Sequence, residues 1–146
     1  MVYVVIEARS GMGSTTPPSK LIAVVEDDRE LATLFQAALE ELGLWQVALL
    51  HDGAEAFQRL PTLRADLIIL DIGLPNLDGI SLYRMLQGHR ATNQTPILFV
   101  TASYEWQLRR QGIEPDTTAV LRKPFGMNDL LERVTELLAQ PDKQAV

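Results

Sequence analysis

The chain has 146 residues, which at roughly 100–200 residues per domain makes one domain with room for a short extension. Hydrophobic residues make up 47% and charged residues 22%, a balance that excludes a disordered chain. With 19 acidic against 13 basic residues the formal charge is -6, which argues against a nucleic-acid-binding module, and the lack of cysteine excludes disulfide scaffolds, zinc ribbons and thiol catalysis.

Met1-Val2-Tyr3-Val4-Val5-Ile6 is apolar but has no basic stretch before it, so it does not read as a signal peptide. No apolar run approaches the ~20 residues needed to cross a bilayer, and a soluble cytoplasmic protein without membrane contact is expected. Residues 9–20 are rich in Gly, Ser, Thr and Pro and read as a linker. Gly11-Met12-Gly13-Ser14 lacks the Gly-Lys-Ser/Thr ending of a phosphate loop, and Pro17-Pro18 works against a helix behind it. The expected organisation is an extension and linker over 1–19, a folded domain over 20–140 and a tail over 141–146.

From Lys20 the period of the apolar residues switches back and forth. Leu21-Ile22-Ala23-Val24-Val25 is continuously apolar, as in a strand buried on both faces. Leu31, Leu34, Phe35, Ala38, Leu39 and Leu42 then fall at helical spacing, with Gly43 as a stop. Leu44 to Leu50 is strand-like, with Trp45 as a packing residue. Asp52 caps a short helix carrying Ala54, Phe57 and Leu60, which Pro61 is expected to stop. Leu67-Ile68-Ile69-Leu70 is a second buried run and ends at Asp71. A helix with Ile80, Leu82, Tyr83 and Leu86 follows Gly79. Ile97-Leu98-Phe99-Val100 ends at Thr101, and a weaker helix covers about Tyr104 to Gln111. Ala119-Val120-Leu121 precedes Lys123-Pro124, and Met127, Leu130, Leu131, Val134, Leu137 and Leu138 form the stripe of a last helix ending near Pro141. Strand then helix, five times over, predicts an α/β fold with a parallel sheet and helices on both faces.

Open sheets of this kind gather functional groups at the carboxyl ends of their strands. Those ends carry Glu26-Asp27-Asp28, Asp71, Thr101 and Lys123. Clustered carboxylates repel unless a positive charge sits among them, and several oxygen donors favour a hard cation such as Mg2+. A metal, a hydroxyl and an ammonium would give each equatorial oxygen of a transferring phosphoryl group one partner, with a carboxylate as nucleophile. Taken singly, Asp28 reads as a helix cap, Asp78-Gly79 as a turn outside the site, and His51 and His89 as surface residues. Tyr104 and Trp106, two apart, cannot share a helix face, so one of them is expected to stand exposed to a partner.

With Val24-Val25-Glu26-Asp27, the stretch from Asp71 to Gly79, Val100-Thr101-Ala102 and Lys123-Pro124-Phe125 each at a strand end, the sequence resembles the receiver domain of response regulators in two-component phosphorelay signalling. The resemblance spans about Leu21 to Ala139. It implies a flavodoxin-like, doubly wound five-stranded sheet of order 2-1-3-4-5. It implies that Asp71 is the phosphoacceptor and that Mg2+ (or Mn2+) is held by Asp27, Asp71 and the Gly73 backbone carbonyl, with Glu26 acting through water. The Thr101 hydroxyl, the Ala102 backbone N–H and Lys123 would hold phosphoryl oxygens, and the Lys123–Pro124 bond would be cis. The implied donor is a histidine kinase or phosphotransfer protein. Output would go to another protein, or to a second copy in a homodimer, through the face of the fourth helix, fifth strand and fifth helix; the few residues after the last helix suggest no DNA-binding domain.

Two features depart from the family pattern. Val120 stands where an aromatic switch residue is usual, and valine has no ring to swing. The segment from Gly112 to Thr118 lacks the usual small-residue turn. Gly73 and Ser103 occupy positions that shape water access in this family; both are small, so a long-lived acyl phosphate is not expected. Two other readings stay open, a phosphorylation-independent scaffold and a receiver excised from a longer hybrid protein; the sequence counts against a third, a phosphatase of the haloacid-dehalogenase type. The last needs a second Asp two residues after the nucleophile, where Gly73 stands.

Overall fold

A computed structural model describes residues 19–115 and 118–140. The chain before residue 19, the tail 141–146 and Asp116-Thr117 within the 112–118 segment lie outside the described residues. Five strands alternate with five helices: β1 (Lys20–Val25), α1 (Arg29–Glu40), β2 (Trp45–Leu50), α2 (Gly53–Leu63), β3 (Leu67–Asp71), α3 (Gly79–Gln87), β4 (Ile97–Thr101), α4 (Glu105–Arg110), β5 (Val120–Arg122) and α5 (Met127–Ala139). All strand pairs are parallel and the order is β2-β1-β3-β4-β5, as expected. The chain winds outward in one direction from β1 and in the other from β3. Their carboxyl ends therefore flank the crevice where such sheets bind ligands.

Alternation along each strand sorts the apolar runs into two cores. Ile22, Val24, Leu67, Ile69, Leu98 and Val100 face Phe35 and Leu39 of α1 and Leu130 and Val134 of α5. Ala23, Val25, Ile68, Leu70, Ile97 and Phe99 face Ala56 and Leu60 of α2, Ile80, Leu82 and Leu86 of α3, and Leu108 of α4. Burying a large apolar side chain is worth roughly 1.5–3 kcal/mol, so the fully buried Phe35 and Phe99 are main anchors of the two layers.

Three carboxylates start helices. Asp28 accepts from the Glu30 and Leu31 amides at 3.1 Å each, Asp52 from Glu55 at 2.7 Å and Asp78 from Ser81 at 2.9 Å. Some local expectations fail. Pro61 does not stop α2, which runs on to Leu63 and ends where Arg64 turns left-handed at φ 57°. Proline so near the end removes one hydrogen bond, and the packing of Ala56 and Leu60 outweighs that loss. Leu34 and Leu42 do not belong to the buried stripe of α1; they are 50% and 64% exposed, because the buried line runs through Ala32, Phe35 and Leu39 and the helix ends before Leu42. Both Tyr104 and Trp106 are exposed, not one of them. β5 starts at Val120, one residue later than the apolar run suggests.

Candidate functional site

β1 ends on Val25, and its parallel pairing continues far enough for the Glu26 amide to donate to Leu50 O at 2.9 Å. The backbone carbonyl of Glu26 lies 3.2 Å from His51 Nδ1. A carbonyl only accepts, so that nitrogen carries the proton. The Glu26 side chain turns inward, 1% exposed, and its Oε2 accepts the Asp28 amide at 3.3 Å. β3 carries Asp71 as its last residue; the side chain is nearly buried, and its Oδ1 accepts the Gly73 amide at 3.0 Å. Thr101 ends β4, buried, and its Oγ1 accepts the Ser103 amide at 3.0 Å, which leaves the hydroxyl proton free to donate. Lys123 follows β5, with its amide on Thr101 O at 2.7 Å and a cis bond to Pro124. Phe125 then stacks on Phe35 of α1, ring centroids 5.8 Å apart, which fixes the loop after β5.

These segments converge. One carboxylate oxygen from each of Glu26, Asp27 and Asp71 lies within 4.8 Å of the others, with Asp27 the exposed member. Lys123 Nζ lies 3.2 Å from Glu26 Oε1 and 3.5 Å from Asp71 Oδ2. Burial first, then the neighbouring charge of Asp71 and a hydrogen bond with it, push Glu26 from an ordinary 4.5 to about 7. Burial acts against the Lys123 ammonium, but the charges of Asp71 and Glu26 outweigh it and hold the amine above its ordinary range. Lys123 meets two of the three clustered carboxylates, which leaves negative charge in surplus. A divalent cation with a preference for oxygen donors fits that surplus.

The description "Response regulator receiver domain" matches residues 22–135. The chain belongs to the response regulator receiver family. The receiver is 36% identical over 117 residues to response regulator MprA of Mycobacterium tuberculosis, covering 80% of this chain and 50% of that protein. It is 35% identical over 124 residues to the alkaline phosphatase synthesis transcriptional regulatory protein PhoP of Bacillus subtilis, covering 85% and 50%. It thus spans about half the length of the curated relatives it matches. Among solved structures, the receiver domain of a sensor histidine kinase of Pseudomonas aeruginosa PAO1 is similar at a TM-score of 0.74 and 28% identity, covering 84% of this chain and 100% of that one. That structure is described with a magnesium ion coordinated in its active site cleft. The signal receiver domain of a signal transduction histidine kinase from Syntrophus aciditrophicus is similar at 0.74 and 30%, covering 83% and 91%.

Two supports of the receiver site are not visible in the sequence. His51 is half-buried rather than on the surface, because the ring bonds the Glu26 carbonyl. His89 is half-buried too, its Nδ1 accepting the Ala91 amide at 3.1 Å. Gly79, by sequence a turn residue outside the site, presses its backbone on the segment that bears Asp71, with its amide on Ile72 O at 3.0 Å. A Cβ there would stand 2.6 Å from the Ile72 Cα and closer still to the Asp71 carbonyl oxygen. Backbone cannot give way as a flexible side chain can. Gly79→Ala is therefore expected to destabilise the receiver by about 1–3 kcal/mol in urea unfolding and to weaken Mg2+ binding at the displaced Asp71. Unchanged stability and Mg2+ affinity would show that α3 can slide outward freely. Asp78-Gly79 at a helix start is a sequence signal for Gly79, but only the packing of α3 against β3 shows why the second residue lacks a side chain.

Proposed function

We propose that this receiver takes a phosphoryl group onto the Asp71 carboxylate from the phosphohistidine of a histidine kinase or phosphotransfer protein, and signals by protein–protein contact in the cytoplasm. The single observation that carries this is the meeting of Asp71, the Glu26–Asp27 pair and Lys123 at the β1–β3 crevice. Mg2+ (or Mn2+) would be held by Asp27, Asp71 and the Gly73 carbonyl, with Glu26 behind. It would supply positive charge to phosphoryl oxygens as negative charge spreads over them. The Asp71 oxygen forms the new P–O bond as the P–N bond breaks, and the imidazole nitrogen leaves with the electron pair and takes a proton. Lys123 offsets charge on a second oxygen, and the Thr101 hydroxyl and the Ala102 amide take a third. The downstream partner, another protein or a second copy, would meet the face of α4, β5 and α5, where Tyr104 and Trp106 are exposed.

Incubation with acetyl phosphate and Mg2+ is expected to add one phosphoryl group to the intact mass. An unmodified chain beside a modified reference receiver would overturn the proposal and favour a phosphorylation-independent scaffold. Around Gly73, the nearest atom to where a Cβ would stand is Asp71 Oδ1, at 3.7 Å, so no side chain there shields the acceptor from water. The acyl phosphate is accordingly expected to decay well within hours in Mg2+, followed by the same mass measurement. Persistence over many hours would mean that another group shields it.

A further inference from the structure

Arg122 and Tyr104 connect the two segments that bear Lys123 and Thr101. Arg122 is the last residue of β5, directly before Lys123, and Tyr104 caps α4, three residues beyond Thr101. The guanidinium carbon of Arg122 stands 4.0 Å from the centroid of the Tyr104 ring. That is within range of a cation–π contact, and a planar guanidinium is well suited to stack on an aromatic face. The backbone beneath is tied: Thr101 pairs with Arg122 in the β4–β5 register, and the Lys123 amide donates to the Thr101 carbonyl. Past that rung the chain is less constrained. Ala102 and Tyr104 are exposed, and α4 has only six residues, its start held by the Tyr104 amide on Gln107 Oε1 at 2.7 Å.

We propose, on the phosphoacceptor reading above, that Arg122 is a positioning residue: its stacking on Tyr104 holds residues 102–104 in the ligand-free arrangement and lets go when that loop closes on a phosphoryl group at Asp71. Closure must bring the Ala102 amide toward Asp71. Tyr104, two residues on, is carried along, while Arg122 stays with the β4–β5 rung. The contact is given up on closure and so opposes it. Because Tyr104 is also the residue at which α4 starts, its release passes the state of the site to the exposed surface of α4.

The test uses beryllofluoride with Mg2+ as a mimic of the acyl phosphate. Trp106 on α4 reports closure by fluorescence; it is 56% exposed, whereas Trp45 is buried. Arg122→Gln and Tyr104→Leu are each expected to lower the half-saturating beryllofluoride concentration by about two- to fivefold, the range of an exposed cation–π contact. Both should speed amide exchange over residues 102–106 in the ligand-free chain. Tyr104→Phe, which keeps the ring face, should match the unsubstituted chain, and the double variant Arg122→Gln with Tyr104→Leu should bind no tighter than either single one. A merely structural role would lower the melting temperature and weaken binding instead. Normal binding by the unsubstituted chain with unchanged or weaker binding by Arg122→Gln overturns the positioning role alone, as does a Tyr104→Phe variant that behaves like Tyr104→Leu. Failure of the unsubstituted chain to bind beryllofluoride overturns the phosphoacceptor reading and this inference with it.

Discussion

Asp71→Asn is expected to abolish the phosphoryl mass gain from acetyl phosphate completely while making the metal-free receiver more stable. The amide has the shape of the carboxylate but lacks the charged oxygen that the proposed transfer needs as its nucleophile. Its effect on stability comes from Glu26. Burial is the first cause of the raised Glu26 titration, and the Asp71 charge is the second. Neutralising Asp71 removes that second cause, so Glu26 should titrate below about 7 in the variant. Lys123 loses its Asp71 contact at 3.5 Å but keeps the shorter one to Glu26 at 3.2 Å. The net gain at pH 8 is expected on the order of 1 kcal/mol, since one pKa unit is worth about 1.4 kcal/mol. Intact mass and thermal melts in EDTA check the two halves. A variant that still gains mass would place the nucleophile elsewhere, and a less stable variant would show that the carboxylates do not repel. Such an activity–stability conflict is common where like charges are gathered for chemistry.

The second large effect is on pH and metal. Glu26 in the folded receiver titrates at about 7, above its ordinary 4.5, so the folded chain holds a proton that the unfolded chain has released between those values. Stability from this group is full below pH 4.5 and is lost as pH rises to about 7, on the order of 3 kcal/mol for a fully expressed shift. Two other shifted groups act outside that window. Asp78, held low first by its hydrogen bond from the Ser81 amide, stabilises above its ordinary 3.8 and ceases to do so as pH falls through its lowered value. Lys123, held high, keeps its contribution up to 10.5 and loses it only above that. Metal binding asks for deprotonated carboxylates. Mg2+ is therefore expected to raise the melting temperature more at pH 8 than at pH 5.5, and to flatten the fall seen in EDTA. An EDTA-treated receiver equally stable across that range, or a Mg2+ effect larger at pH 5.5, would contradict the assignment of Glu26 to a buried, charge-crowded site.

Much of this protein is legible in the order of its residues. The apolar runs at Ile22–Val25, Leu67–Leu70 and Ile97–Val100 are buried on both faces, as in a covered parallel sheet, and they lie in β1, β3 and β4. Carboxylates just past two of those runs, a hydroxyl past the third and an amine after the fifth strand mark the site in the sequence alone. These are local signals: a period along the chain, and the type of residue at which each period breaks off.

Contacts between distant segments required the tertiary structure. Glu26 and Lys123 are 97 residues apart, and their contact at 3.2 Å exists only because β1 and β5 share one sheet. Burial of the Glu26 side chain, and so its titration, comes from that meeting rather than from its neighbours in sequence. The same holds for His51 against the Glu26 carbonyl, Gly79 against the back of Asp71, and Arg122 over Tyr104. Pro61 inside α2 and the exposure of Leu34 show the converse: a local breaker or a locally plausible core position yields when the packing of a whole helix face is worth more. The sequence by itself determined the layers and the chemical types available at the sheet edge, because periodicity alone decides which faces are apolar. Only the folded chain decided which charges are crowded together out of water, because desolvation and Coulomb repulsion depend on distance in space.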